Sequence, residues 1–160
     1  MQIRVNTCRL AKLIGVAAAW IAGSVAADEG AKDSVSKAAD RMIASCLEHA
    51  TANKLPPLSI VIVDATGAII AAKRQDGAPP ASADAALLKA RTATRAKAPT
   101  AALTSLVAQD QATRDVFLVL GLTGIPGGIP FALGAVGVSG AEPGQDASCA
   151  QRAVDAVGNK

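Results

Sequence analysis

The sequence predicts an α+β domain, an antiparallel sheet flanked by helices. A β-branched run at residues 58–64, a turn, and a second apolar run at 68–74 read together as a hairpin. Stretches with apolar residues at helical spacing lie on both sides of it, and no regular strand–helix–strand alternation appears. With 160 residues, 51% of them hydrophobic and 18% charged, the chain has the size of one domain and a composition that speaks against disorder.

Residues 1–27 read as a signal peptide. Arg4, Arg9 and Lys12 form a positive start, residues 13–22 are an apolar run short for a bilayer, and residues 24–27 offer small side chains for cleavage. Cys8 precedes the apolar run, which misplaces it for lipidation. The expected mature part is a single domain, residues 28–160, located in the periplasm or secreted. The leader holds three cations and no acid, so the formal charge of +3 falls to zero without it. Trp20 leaves with the leader, and Phe117 and Phe131 are then the only aromatics. A neutral body with so few rings offers neither counterion release nor a stacking platform, so no nucleic-acid partner is expected. No stable membrane insertion is expected after cleavage. Export makes a disulfide between Cys46 and Cys149 one option; two buried thiols are the other.

Along the body, residues 28–33 read as a polar arm. Helix one starts at Ser34 or Ser36 and runs to about residue 52, with Val35, Ala38, Ala39, Met42, Ile43, Cys46, Leu47 and Ala50 as its apolar stripe. Pro56 and Pro57 follow it. After the hairpin, whose turn is Asp64-Ala65-Thr66-Gly67, Ser82 is the expected cap of a helix over 83–96, ended by Pro99. A short helix over 100–107 comes next, then a strand candidate at 117–120, a turn or bulge at 127–130, a Gly-bearing strand at 133–139 and a last helix over 143–157. Glycines inside a strand suggest close backbone approach or a ligand lying against it.

Four segments carry a family resemblance: Ser59-Ile60-Val61-Ile62-Val63-Asp64 with Gly67; Arg74-Gln75-Asp76-Gly77-Ala78; Lys89-Ala90-Arg91-Thr92-Ala93; and Pro126-Gly127-Gly128-Ile129-Pro130 followed by Gly134-Ala135-Val136-Gly137-Val138-Ser139-Gly140. In this order and spacing they resemble the GlcG/HbpS family of haem-binding, profilin-like proteins. Asp146 and Cys149-Ala150 continue the pattern, so the resemblance covers roughly residues 36–157. It implies a profilin-like antiparallel sheet, usually in a homo-oligomer, and binding of haem or a related small molecule. Some relatives sit near glycolate or diol metabolism. Relatives usually have several more residues before the Gly-Ala-Val-Gly strand. Here only Phe131-Ala132-Leu133 intervenes, so one strand shortens or the two merge.

Few residues could carry chemistry. His49 is the single histidine and lies on the shoulder of the helix-one stripe, roughly 75° from its centre. A neutral imidazole there could ligate haem iron, making His49 the metal-ligand candidate; the alternative is a half-exposed helix histidine with no ligand. Met42, one helix turn from Cys46, reads as core, because one rigid helix cannot supply both faces of an iron. Cys46 and His49 lack the second ligand pair that zinc needs. Arg74, with Lys73 and Asp76 beside it, stands where the second strand enters its loop and could meet a haem propionate. Lys89, Thr92 and Thr100 occupy family-like positions for further polar contacts. The alternative for these charges, and for Arg91, Arg95 and Lys97, is a solvated rim. Ser139 is central to Gly137-Val138-Ser139-Gly140-Ala141, which begins like a nucleophile elbow but ends in Ala in place of Gly, and the sole His base is on helix one; Asp64 is placed as turn residues are.

The leading expectation is an exported small-molecule-binding protein that takes haem for sequestration or sensing, with the Gly-lined sheet covering a porphyrin face. Two other readings stand beside it. One is an accessory enzyme on a small hydroxy acid or aldehyde, with Asp76, Lys89 and Ser139 near the reacting centre. The other is a ligand-free oligomeric assembly module.

Overall fold

The structure is a computed structural model and describes residues 26–158, with side chains from Val35 onward. The leader expected over residues 1–27 lies outside the described residues, except for its last two. Residues from Ser34 on form one compact unit. In chain order the elements are α1 (Ala26–Ala52), β1 (Ser59–Asp64), β2 (Ile69–Arg74), α2 (Ser82–Ala96), a 3-10 turn (Thr100–Leu103), α3 (Thr104–Gln109), α4 (Gln111–Leu120), β3 (Gly128–Phe131), β4 (Gly134–Ser139) and α5 (Pro143–Asp155). All strand pairs are antiparallel, in the order β2-β1-β4-β3. The α+β class with an antiparallel sheet is therefore as the sequence indicates.

The strand period of two sorts the side chains into two cores. Ile60, Ile62, Val136 and Val138 point to one face, where Met42, Cys46, Cys149, Ala150 and Val154 from α1 and α5 bury them. Val61, Val63 and Ala135 point to the other, against Ala86, Ala90 and Ala93 of α2. Each fully buried aliphatic side chain here contributes about 1.5–3 kcal/mol. The first core is also crosslinked. Cys46 and Cys149 form a disulfide with their Cα atoms 4.8 Å apart, joining α1 to α5 over a sequence separation of 103.

Several boundaries differ from the sequence reading. The expected polar arm at residues 28–33 belongs to α1, although two Asp and Gly30 make that stretch a poor helix former by itself. Ser82 does not cap α2: its Oγ donates to the Pro79 carbonyl and meets Ser59 Oγ at 2.7 Å, so the hydroxyl is spent on the loop and β1. The strand expected at residues 117–120 is the end of helix α4. Asp110 accepts from Thr113 N at its start, and Gly121 ends it in the left-handed region with φ 61°, so the caps override the β-branched composition. The helix expected over 100–107 is split into the 3-10 turn and α3.

The short link before β4 resolves as a two-residue hairpin. Phe131 pairs with Gly134, leaving Ala132 and Leu133 as the loop, and β3 is the shortened strand with four residues. Pro130 is tolerated there because β3 lies at the sheet edge.

Candidate functional site

One end of the sheet gathers most of the polar side chains. Ser59, which opens β1, pairs with Arg74 at the end of β2 and with Ser139 at the end of β4. The loop after β2, the turn into α5 and the link from α1 all meet at that end. Asp64 lies at the opposite end, in the hairpin turn. There its Oδ1 accepts from Thr66 N, Thr66 Oγ1 and Ala68 N. The Thr66 hydroxyl bond holds its carboxyl below the usual carboxylate range. A strand of six residues, about 20 Å, therefore separates Asp64 from Asp76, and the two cannot act as paired carboxylates.

His49 sits half-buried near the end of α1, in a groove of about 240 Å³ lined also by Asn53, Leu55, Gly144, Gln145 and Ser148. Its Nε2 lies 2.8 Å from Ser148 Oγ on α5, and its Nδ1 lies 3.2 Å from Asn53 Nδ2. The Asn53 amide donates to the His49 carbonyl at 2.8 Å, which fixes Nδ2 on the imidazole side. Nδ1 is then the acceptor, so the proton of the neutral ring is on Nε2 and is donated to Ser148. In that tautomer the imidazole cannot take the serine proton, and the pair is not a nucleophile with its base.

Lys89 and Asp146 form the buried centre. Lys89 Nζ donates to Asp146 Oδ2 at 2.8 Å and to the Val138 carbonyl at 3.0 Å, and both side chains are almost wholly enclosed, at 4% and 2% exposure. Asp146 Oδ1 accepts from Ala141 N. Burial pushes the Asp146 carboxyl above its ordinary value; the hydrogen bond and charge of Lys89 pull against this without cancelling it. Gly127 passes so close that a Cβ would lie 2.6 Å from the Val138 carbonyl and 3.0 Å from Lys89 Nζ. Lys89 thus ties α2 to β4 and α5.

The other candidates fall in different places. Arg74 is exposed, and its Nη2 donates to the Ala78 carbonyl; Asp76 is exposed in the same loop. Thr92 is fully buried and accepts from Thr123 N at 3.1 Å. Thr100 is fully buried and accepts from Gly128 N at 3.0 Å. Ser139 Oγ stands 3.5 Å from Lys89 Nζ. The fold therefore brings Lys89 to Ser139 and sets His49 and Arg74 at the same sheet end, while Thr92 and Thr100 hold the chain between α2 and β3. Met42 is fully buried in the first core. No group of three or more metal-ligating side chains occurs among the described residues.

One expectation is overturned. The Gly-bearing strand does not line an open apolar cleft for a porphyrin face. Gly137 faces α2, and a Cβ on it would run into the Ala86 carbonyl and lie 2.7 Å from Ala90 N. The glycine serves close approach of helix to sheet, so that side of β4 is filled by the protein itself.

The comparison with known proteins matches this framework. The model of the family described as haem degrading protein HbpS-like matches residues 35–155. The chain belongs to the HbpS-like family. Among solved structures, Klebsiella pneumoniae protein ORFY is 32% identical with a TM-score of 0.71, over 76% of this chain and 88% of that chain. PduOC, solved as a heme complex, is 26% identical with a TM-score of 0.71, over 77% and 95%. A double mutant of Streptomyces reticuli HbpS is 29% identical with a TM-score of 0.70, over 77% and 86%. No curated protein matches the sequence significantly.

The partners of His49 escaped the sequence reading. Asn53 stands four residues on, one helix turn away, a spacing that could have been used. Ser148 is 99 residues distant and carries no sequence signal of its own.

Proposed function

We propose that this protein binds haem and that His49 supplies the iron ligand. The supporting observation is a single imidazole, half-exposed at the mouth of a groove, in an HbpS-like chain whose relatives include the PduOC–heme complex. The donor set fits. Nε2 would hold the iron with the ring proton on Nδ1 and Ser148 turned away, and the two hydrogen bonds given up are worth about 1–3 kcal/mol together. A groove of about 240 Å³ is below the ~300–1,000 Å³ of sites that enclose a small molecule, so it would hold only part of a haem. Arg74, at the same end of the sheet, is the candidate for a propionate. Haem would supply a redox-active iron, and His49 would supply a nitrogen ligand oriented by helix α1. The expected setting remains the periplasm or the secreted fraction, in sequestration or sensing.

Hemin titration followed at the Soret band tests the reading. Saturable binding in the wild type with an altered band in His49→Ala supports it; the same band in both proteins removes His49 from the iron.

We infer also that the protein self-associates through α4. No residue of α3 or α4 is buried, and Leu118 and Val119 are 75% and 87% exposed. A ten-residue helix is marginal without packing. A two-fold pairing of α4 with a second copy covers the apolar end.

A further inference from the structure

A second cavity, of about 350 Å³, lies at the far end of the sheet from His49, between the β1–β2 turn and α2. Ala65, Thr66, Gly67 and Ala68 form one wall and Arg91, Thr94 and Arg95 the other. Arg91 and Arg95 are one helix turn apart, a spacing at which like charges repel. Both are exposed, and each is anchored by one backbone carbonyl, Gly67 O in the cavity wall for Arg91 and Leu120 O at the end of α4 for Arg95. Arg91 Nε donates to Gly67 O at 3.1 Å, which leaves its Nη1/Nη2 fork free. Arg95 Nη1 donates to Leu120 O at 2.9 Å, which leaves its Nε/Nη2 fork free. Neither guanidinium forms an ion pair among the described residues. The acid on the adjacent turn, Asp64, gives Oδ1 to three donors of that turn, and the Thr66 and Thr94 hydroxyls donate to Asp64 and to the Ala90 carbonyl. The unspent capacity of the cavity is thus two planar, cationic forks, each anchored at one nitrogen.

We propose that this cavity binds a small oxyanion, a carboxylate or a phosphate, between Arg91 and Arg95. Planar forks of this kind match both groups in two-point contacts, which a lysine pair would not. Two adjacent forks favour a ligand with two negative charges. The site stands apart from His49 and does not depend on haem binding.

The test titrates the protein with inorganic phosphate and, separately, with succinate, at ionic strength held constant with potassium chloride, by calorimetry. The expected result is saturable binding of at least one of the two with a dissociation constant of about 1 mM or below. Arg91→Gln and Arg95→Gln should each weaken it tenfold or more, the Lys replacements should restore only part, and Arg152→Gln should leave it unchanged. Phosphate alone binding identifies a phosphate site, and succinate alone a carboxylate site. No saturation with either anion overturns the proposal, as does binding that survives both Gln substitutions. Hemin titration of the Gln variants should match the wild type, so a failure here is distinct from a failure at His49.

Discussion

Replacing Lys89 with Met tests the view that the buried pair is a structural tie whose cost lies on the carboxylate. In the wild type Asp146 is 2.8 Å from the ammonium and 2% exposed. Removing the cation strands the carboxylate in the interior, a loss of about 3–5 kcal/mol at neutral pH. The loss must depend on pH. Burial already raises the Asp146 carboxyl above 3.8, and Lys89 opposes that rise, so the variant's carboxyl rises further. A carboxyl raised in the folded state binds its proton more tightly there than in the unfolded chain. Its contribution is full below the unfolded value and is lost as pH rises through the folded value. The deficit of Lys89→Met should therefore be small near pH 4 and largest at pH 7. With a urea slope of about 2 kcal/mol/M, the pH 7 deficit lowers the unfolding midpoint by roughly 2 M. The double variant Lys89→Met with Asp146→Leu takes partners from Ala141 N and the Val138 carbonyl but leaves no buried charge, and should recover most of that deficit. A deficit below 1 kcal/mol at pH 7, or one equal at pH 4 and pH 7, refutes the reasoning.

Three further outcomes follow from the same contacts. Ser148→Ala removes the hydroxyl 2.8 Å from His49 Nε2, so hemin should bind about two- to tenfold tighter in a Soret titration; weaker binding would mean the serine helps hold the ligand. Reduction of Cys46–Cys149, or its replacement by two Ser residues, opens a crosslink spanning 103 residues and should cost about 4–5 kcal/mol in urea unfolding, with no loss of the native circular dichroism below the transition. Val119→Glu places a charge on an 87% exposed position and should leave stability within about 0.5 kcal/mol while lowering the mass seen by light scattering to that of the monomer; an unchanged mass places the interface elsewhere.

Much of this fold is visible in the residue pattern, and the reasons differ by element. β1, with Ile60 and Ile62 facing one core and Val61 and Val63 the other, is apolar at every central position because the sheet is covered on both sides. The turn at Asp64 is legible because an aspartate that binds its own following amides needs no distant partner. The end of α4 is not legible from Val116, Phe117, Leu118 and Val119 alone, since this β-branched, apolar run has strand composition. Its helix is set by Asp110 and Gly121 outside the run. At the site, the position of His49 on the stripe shoulder gives its half-exposure correctly, yet its two partners fix its proton, and one of them comes from α5. Lys89 reads as a side chain for polar contacts with a ligand, and its pairing with Asp146, 57 residues on, is visible only once the chain is folded.

The glycines of β4 carry the longest chain of consequence from sequence to function. Gly137 lets α2 sit with its backbone against the strand, and that approach places Lys89 where its ammonium reaches Val138 O and Asp146. The same approach fills the sheet face where a flat guest could have lain. A ligand must then use what the packing leaves at the two ends of the sheet. At one end that is an imidazole and an exposed arginine; at the other it is a pair of guanidinium forks. Close helix–sheet packing and peripheral, open sites are therefore one arrangement. Any substitution at Gly137 that pushes α2 outward should disturb Lys89 and the Arg91–Arg95 cavity together, because all three side chains ride on the same helix.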